Sequence, residues 1–568
     1  MQLAEREIPK AEVLPSFSRT PAIALGGVLL VFFMGLLSTL PRFERYHGDE
    51  RFYTDAAIAM VKTGDYLTPR YAGGAQRLNK PPLSYWILCA SYETFGISLF
   101  SSRLPFLFAG CGVIFLTWRV GRTLFDAPET ALVGAAIMAA NLQTMTISSR
   151  STPDILLCLF VTGSILGFSQ ILLRKDFRAS GYALAYLGAG FACATKGFWG
   201  VLPVLFAVAF WIVKARREIA LRRLAPIGWV FAGAILGLSW FAFAAMKYGF
   251  TGLESFLKDQ TAASAEPAKW FLISNVAEYA WATIRHFMPW TALGVAAFLA
   301  ARQTATSFVR ANRGKLWFAL GWYALVFIIF AFGFVRRTRY LLPTYPCIAV
   351  ILGAFLCSLA EDQKAALWLR RIMRIVLGVG SAVALATVLV RAQIEWRTAA
   401  MLLLGAGGIL ALVLTWRASA ASAIMALSLW IIAIFCLFVS AWLPLFESTP
   451  APALAHELSV PPLEGRPVIA LGVAPAVASQ VRLISGGNVD PQISYAENLS
   501  PAIPVNAVLI VSENWRDKLV AAGYELKACG FMSRRTGFRA ILQALRSPSP
   551  EKFLNRQTYY IATRHQTA

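Results

Sequence analysis

From Ile23 onward the chain is divided into apolar blocks of about 16 to 22 residues, separated by short charged loops. A bilayer core takes about 20 apolar residues of α-helix to cross, and inside it every backbone N–H and C=O must be satisfied within the segment. Blocks of this length in series prescribe a polytopic α-helical membrane protein. They fall at 23–40, 104–121, 129–147, 153–172, 180–195, 198–213, 225–246, 281–300, 316–334, 341–359, 375–391, 398–416 and 423–443, about thirteen spans. A mean hydropathy of +0.58 and a charged fraction of 15% exclude a soluble enzyme. The first block is long for a signal h-region and lacks a small-residue cleavage site, so it reads as a retained helix.

The net charge of +23 fits orientation and contact with anionic headgroups better than nucleic-acid binding. The basic loops 174–178, 214–223, 302–315 and 364–374 fall on one side, which the positive-inside rule makes cytoplasmic. The polar interval 41–103 then faces the periplasm of a bacterial inner membrane, and an odd span count carries the tail across as well. The expected organisation is a transmembrane catalytic region, 1–445, followed by a periplasmic domain, 446–568. Apolar runs Val468–Leu471 and Val508–Val511 alternate there with helix-like stretches 474–483 and 514–522, the pattern of a small α/β unit. The eight cysteines lie scattered, mostly in apolar runs and with no CxxC pair, so neither a disulfide framework nor a zinc cluster is expected.

Chemistry concentrates in the polar interval. Asp49 and Glu50 follow the first block closely, where carboxylates stay ionised yet border a low dielectric. Asp49 suits equally the N-cap of a helix over Glu50–Lys62, whose Tyr53, Ala56, Ala57 and Met60 share one face and which Gly64 stops. That helix is expected to lie flat on the membrane, with Leu83–Gly96 a second juxtamembrane helix. Asp154, at the outer end of another span, is a third carboxylate and also fits a first-turn residue complementing the helix dipole. Lys80, Lys196 and the cluster Arg336, Arg337 and Arg339 with Tyr340 are cationic or polar positions held on the outer side, against the topological bias. Guanidinium forks and lysine ammonium groups at a membrane edge bind phosphate oxygens, although Arg336 and Arg337 equally suit headgroup contact. His286 has no second histidine near it and reads as an interfacial aromatic neighbour, so no metal site is legible.

Taken in order, Asp49-Glu50, Gly64-Asp65-Tyr66-Leu67-Thr68-Pro69, Asn79-Lys80-Pro81-Pro82-Leu83-Ser84-Tyr85-Trp86, Ala194-Thr195-Lys196-Gly197 and Arg339-Tyr340-Leu341-Leu342-Pro343 resemble the polyprenyl-phosphate-dependent GT-C glycosyltransferases. Within these the chain is most similar to the lipid A aminoarabinose transferases, bacterial relatives of the protein O-mannosyltransferases. The resemblance covers residues 22–360. It implies an inverting transfer of a sugar from undecaprenyl phosphate to a periplasmic acceptor, lipid A or lipopolysaccharide first. It makes Asp49 the catalytic aspartate; the residues themselves add Glu50 and Asp154 as candidate catalytic carboxylates and Lys80, Lys196, Arg336, Arg337, Arg339 and Tyr340 as candidate binders of donor phosphate. Tyr53, Tyr85 and Tyr345 are expected in the substrate pocket. The partners implied are the lipid-linked donor, a lipid or glycan acceptor and membrane lipids, with a monomeric protein and no nucleic acid.

Two departures bear on cofactors. Asn79 stands where the family usually has glutamate, and no histidine occurs between Thr251 and Glu278. Both family residues belong to a divalent-cation site, so no cofactor is expected. The same departures leave open a sister enzyme that moves galacturonic acid or a hexose to another glycan or to protein. A lipid-linked-sugar flippase is disfavoured, since transporters are expected to show repeat symmetry and interrupted helices near mid-membrane, whereas the charges here gather at the outer edge.

Overall fold

A computed structural model describes residues 21–261, 271–333, 337–390, 395–414, 419–495, 503–534 and 555–564. Helix α1, Pro21–Leu37, buries Leu25, Val28, Phe32 and Leu36 along one stripe and turns the rest of its apolar surface outward. The short apolar helix ends where Ser38 and Thr39 bond back to the carbonyls of Gly35 and Leu36. The polar interval carries α2, Arg51–Thr63, and α3, Leu83–Phe95. Gly64 closes α2 with φ of 69°, a left-handed backbone that glycine adopts without strain.

Helix α4, Leu99–Phe125, begins with a reciprocal Ser98/Ser101 capping box. It packs on α5, Pro128–Ala139, α6, Leu142–Ser148, and α7, Asp154–Arg174. Small residues set how closely these helices approach. A Cβ on Gly121 would stand 2.8 Å from Ala131 Cα, and one on Gly353 would stand 2.7 Å from the Gly134 nitrogen. Such seams replace hydrophobic drive where the surrounding lipid is as apolar as the side chains.

Among the described residues, seven helices are long and apolar enough to cross a membrane: Leu99–Phe125, Asp154–Arg174, Ala179–Ala215, Ile227–Tyr248, Arg313–Ala331, Thr338–Leu359 and Ala420–Ser440. Two bent pairs, Pro128–Ala139 with Leu142–Ser148 and Trp290–Ala300 with Arg302–Ala311, raise this to nine. The expected thirteen differ for physical reasons. The blocks 180–195 and 198–213 fall within one 37-residue candidate span, Ala179–Ala215, whose two parts are joined by a sharp turn at Gly197 and a 3₁₀ segment, Gly197–Val201. The block 281–300 is divided, one helix ending at His286 and another starting at Trp290, with Pro289 between them lacking the N–H that continuation needs. Helices also occupy Gln363–Val390 and Glu395–Leu414.

Helix α2 does not simply lie flat on the membrane. Tyr53, Thr54, Asp55, Ala56, Ala57, Ile58 and Met60 are all buried, because α2 packs between α3 and the tail helix Pro475–Ile484. Among the described residues the tail holds a five-stranded sheet in the order β2-β1-β3-β5-β4, formed by β1 Val468–Leu471, β2 Gln492–Ser494, β3 Val508–Ser512, β4 Tyr524–Arg534 and β5 Asn555–Arg564. β1 runs parallel to β2 and β3, whereas β5 is antiparallel to β3 and β4. Every residue of β3 is buried, as a central strand covered on both faces requires.

Two buried contacts tie the tail to α2. Arg482 Nη1 lies 3.0 Å from Asp55 Oδ1. The Ser479 hydroxyl donates to the same carboxylate at 2.7 Å and also meets the Tyr46 hydroxyl at 2.7 Å.

Candidate active site

Four elements far apart in sequence bring one charge cluster together. Asp49 lies in the turn before α2, Asp154 is the first residue of α7, Lys196 is the last residue of helix Gly188–Lys196, and Arg339 lies in the 3₁₀ segment Thr338–Thr344. Gly197, at φ of 77°, lets the chain turn sharply just after Lys196. Arg339 Nη2 donates to Asp49 Oδ2 at 2.5 Å, while its Nε stands 3.5 Å from Asp154 Oδ2. Lys196 Nζ donates to Asp154 Oδ1 at 2.6 Å and rests 4.5 Å above the Tyr340 ring. Asp154 and Lys196 are almost wholly buried, whereas the Asp49 side chain keeps 27% of its surface exposed. Asp49 is therefore the carboxylate of this group that an incoming molecule can reach.

Burial pushes the Asp49 carboxyl up, but the hydrogen bond and charge of Arg339, with His47 and Arg337, outweigh it and hold the group below the usual aspartate range. His47 Nδ1 accepts the Asp49 backbone N–H at 3.2 Å. Burial and the neighbouring Arg150 lower the imidazole's pKa, and its Nδ1 lone pair fixes the turn. Asp49 does not cap α2. Glu50 occupies the N-cap position with helical backbone angles and no side-chain cap, and the Asp49 side chain is taken by Arg339 instead.

Glu50 sits differently from the expected catalytic carboxylate. It is fully buried, receives Arg103 Nε at 2.9 Å and Nη2 at 3.0 Å, and accepts the backbone N–H groups of His47 and Ser151 at 2.8 and 3.0 Å. With its four acceptor positions filled, it fastens the loop to α4 and to the α6–α7 link. Arg103, which the sequence reading passed over, also donates to the Leu40 and Arg42 carbonyls at 3.0 and 2.9 Å. A signal was present, since an arginine at the edge of an apolar block demands a partner.

The aromatic expectations are corrected too. Tyr85 is fully buried and stacks on Tyr53 with ring centroids 5.4 Å apart, its hydroxyl accepting Arg77 Nε at 2.8 Å. Tyr345 is fully buried and bonded to His286 Nδ1 at 2.8 Å. Both pack the walls and leave no open face for a substrate. Burial, reinforced by Arg285, brings the His286 pKa down to about 4, so it too is a neutral structural group. Lys80 is half-buried in the bend before α3, against buried Pro81 and Pro82. Arg337 is exposed and uses its backbone N–H on the Tyr279 hydroxyl, while Arg336 lies outside the described residues.

The profile of the dolichyl-phosphate-mannose-protein mannosyltransferase family matches residues 79–243. An uncharacterized protein of Aquifex aeolicus is 28% identical over 318 residues, 55% of this chain and 59% of that one. The undecaprenyl phosphate-alpha-4-amino-4-deoxy-L-arabinose arabinosyl transferase of Edwardsiella ictaluri is 23% identical over 374 residues, 63% of this chain and 64% of that one. The chain thus spans about three-fifths of the length of these relatives. Among solved structures, ArnT from Cupriavidus metallidurans bound to undecaprenyl phosphate gives a TM-score of 0.67 at 16% identity, over 96% of this chain and 98% of that one. Its apo state gives 0.66 over 95% and 97%. The chain has the GT-C fold.

At the position that the resemblance gives to a ligand of a divalent cation, this GT-C chain has Asn79. Asn79 offers a neutral amide where a carboxylate would carry charge, and hard cations depend on that charge. Among the described residues no group of three or more His, Cys, Asp or Glu side chains is placed to hold an ion.

Proposed function

We propose that this protein is a polyprenyl-phosphate-dependent glycosyltransferase, moving a sugar from undecaprenyl phosphate to an acceptor at the outer face of the inner membrane, with lipid A or lipopolysaccharide the first candidate. The observation that carries the reading is the partly open Asp49 carboxylate held against Arg339, itself backed by the buried Asp154–Lys196 pair. An enzyme facing the periplasm has no supply of nucleotide sugars, so an activated sugar must arrive on a lipid.

In the proposed step an acceptor oxygen attacks the anomeric carbon, the bond from that carbon to the phosphate oxygen breaks, and its electron pair leaves with the polyprenyl phosphate. Attack from the face opposite the phosphate inverts the centre. Asp49 accepts the proton of a hydroxyl acceptor, or orients an acceptor that is already ionised. Negative charge growing on the leaving phosphate is met by cations fixed before the reaction, Arg339 and Lys196 in the cluster and Lys80 at the bend, so little reorganisation accompanies bond breaking.

Asn79 favours a second reading within the same class, a sister enzyme using galacturonic acid or a hexose. Purified protein supplied with synthetic polyprenyl phosphates bearing aminoarabinose, galacturonic acid or a hexose, with lipid A as acceptor, separates the two by the mass of the product. Failure of every lipid-linked donor across lipid, glycan and peptide acceptors, with donor instead crossing vesicle membranes, would replace transfer by transport.

A further inference from the structure

Among the described residues, five buried or half-buried cationic side chains, Arg45, Arg103, Arg150, Lys196 and Arg339, stand around the three carboxylates Asp49, Glu50 and Asp154, with Arg337 exposed at the rim. Pairing uses three of the five. Arg103 takes Glu50, Lys196 takes Asp154, and Arg339 bridges Asp49 and Asp154. Arg45 and Arg150 are left over, an excess of two positive charges. Arg45 spends one N–H on the Ser149 hydroxyl at 3.0 Å and lies 5.0 Å above the Phe435 ring. The Arg150 side chain has no hydrogen bond or ion pair among the described residues, and its Nε is buried without a partner. Next in the chain, Ser151 is fully buried and its hydroxyl also lacks a hydrogen-bond partner there.

Two guanidinium groups sharing a half-buried place with no carboxylate of their own repel each other in a medium that screens poorly. Burial and the charge of Arg150 bring the Arg45 pKa down to about 9. An anion would reverse the penalty. Arg45, His47 and Arg150 are only half-buried, so the place is reachable from outside. It is bounded by the α6–α7 link and by Phe435 of helix Ala420–Leu437, elements other than those that present Lys196 and Tyr340. A phosphate monoester carries a charge of about −1.5 to −2 at neutral pH, which matches two guanidinium forks and offers an acceptor to the idle serine hydroxyl.

We propose that Arg45 and Arg150, with the Ser151 hydroxyl, form a second oxyanion site that binds a phosphate monoester beside Asp49. The phosphate belongs either to the polyprenyl carrier or to a phosphorylated acceptor. Binding at this site is measurable whether or not transfer occurs.

Full-length protein in phosphatidylcholine nanodiscs is titrated calorimetrically with geranyl phosphate and, separately, glucosamine 1-phosphate. Arg45→Gln and Arg150→Gln each weaken at least one probe tenfold or more, and Arg150→Lys, which keeps the charge, weakens it less. Loss confined to geranyl phosphate assigns the site to the carrier, loss confined to the sugar phosphate assigns it to the acceptor, and loss of both makes it shared. Ligand-free Arg150→Gln melts at or above the parent, because a repulsive charge has gone. No binding of either probe by the parent, or equal binding by the Gln variants, overturns the proposal. So does a lowered melting temperature with probe binding intact, which would make Arg150 a structural residue. Where a Gln variant fails to fold, Arg150→Lys decides: binding undiminished for both probes together with a lowered melting temperature also overturns it.

Discussion

Arg103 grips Glu50 at two points, 2.9 and 3.0 Å, in a place where neither side chain meets solvent. Removing one partner of such a pair strands the other charge. Glu50→Gln is expected to destabilise the protein by about 3–5 kcal/mol, with Glu50→Gln/Arg103→Leu recovering part of the loss. Thermal unfolding of the detergent-purified variants measures both, and a neutral Glu50→Gln would remove the fastening role.

Asp49→Asn keeps shape and removes charge. Transfer from a polyprenyl-phosphate donor is expected to fall by about 10²- to 10⁴-fold, the usual range for a positioned acid or base, with little change in melting temperature. Arg339→Lys should not rescue the geometry, because one ammonium cannot replace a planar group whose Nη2 meets Asp49 while its Nε faces Asp154. Near-normal turnover by Asp49→Asn would end its assignment as the reacting carboxylate.

Stability should depend on His286 in a defined window. Its folded-state value, about 4, lies below the ordinary 6.5, so the unfolded chain binds the proton more readily. The contribution is complete above about pH 6.5 and is lost as pH falls toward 4, amounting to about 3 kcal/mol for a shift of this size. Unfolding measured from pH 7.5 to 4 in the parent and in His286→Gln tests this. The variant should show a flatter profile across that interval.

Transfer is expected to survive chelation. Asn79 supplies no charge, and no cluster of metal-binding side chains occurs among the described residues. Turnover is compared before and after EDTA treatment and dialysis. Loss restored by magnesium, manganese or zinc would mean that substrate phosphate and residues such as Asp49 assemble a site together.

Much of this architecture can be read from local sequence. Block length announces the membrane helices, Gly64 marks the end of α2, and alternating apolar runs mark β1 and β3, because each is governed by neighbours in the chain. The division of labour between Asp49 and Glu50 is not local. Asp49 lies in the turn before α2 and Glu50 at its N-cap, so the two side chains meet different partners, and which one meets Arg103 depends on α4. The same holds for Tyr85 and Tyr345, whose burial is set by Arg77 and His286. The break at Pro289 was legible as a proline. The sharp turn at Gly197 was not, since a glycine permits either a turn or a passage and tertiary packing chooses.

Asp55 on α2 is matched by Ser479 and Arg482, more than four hundred residues later in the chain. During synthesis the carboxylate must therefore wait, hydrated or unpaired, until the tail sheet and its helix have emerged. The loop that carries Asp49 acquires this support only after residues 479–482 have been made. Closure over so long a separation is slow compared with local helix formation. Membrane insertion and maturation of the site are for this reason separate events, with the tail acting as the latch that ends assembly.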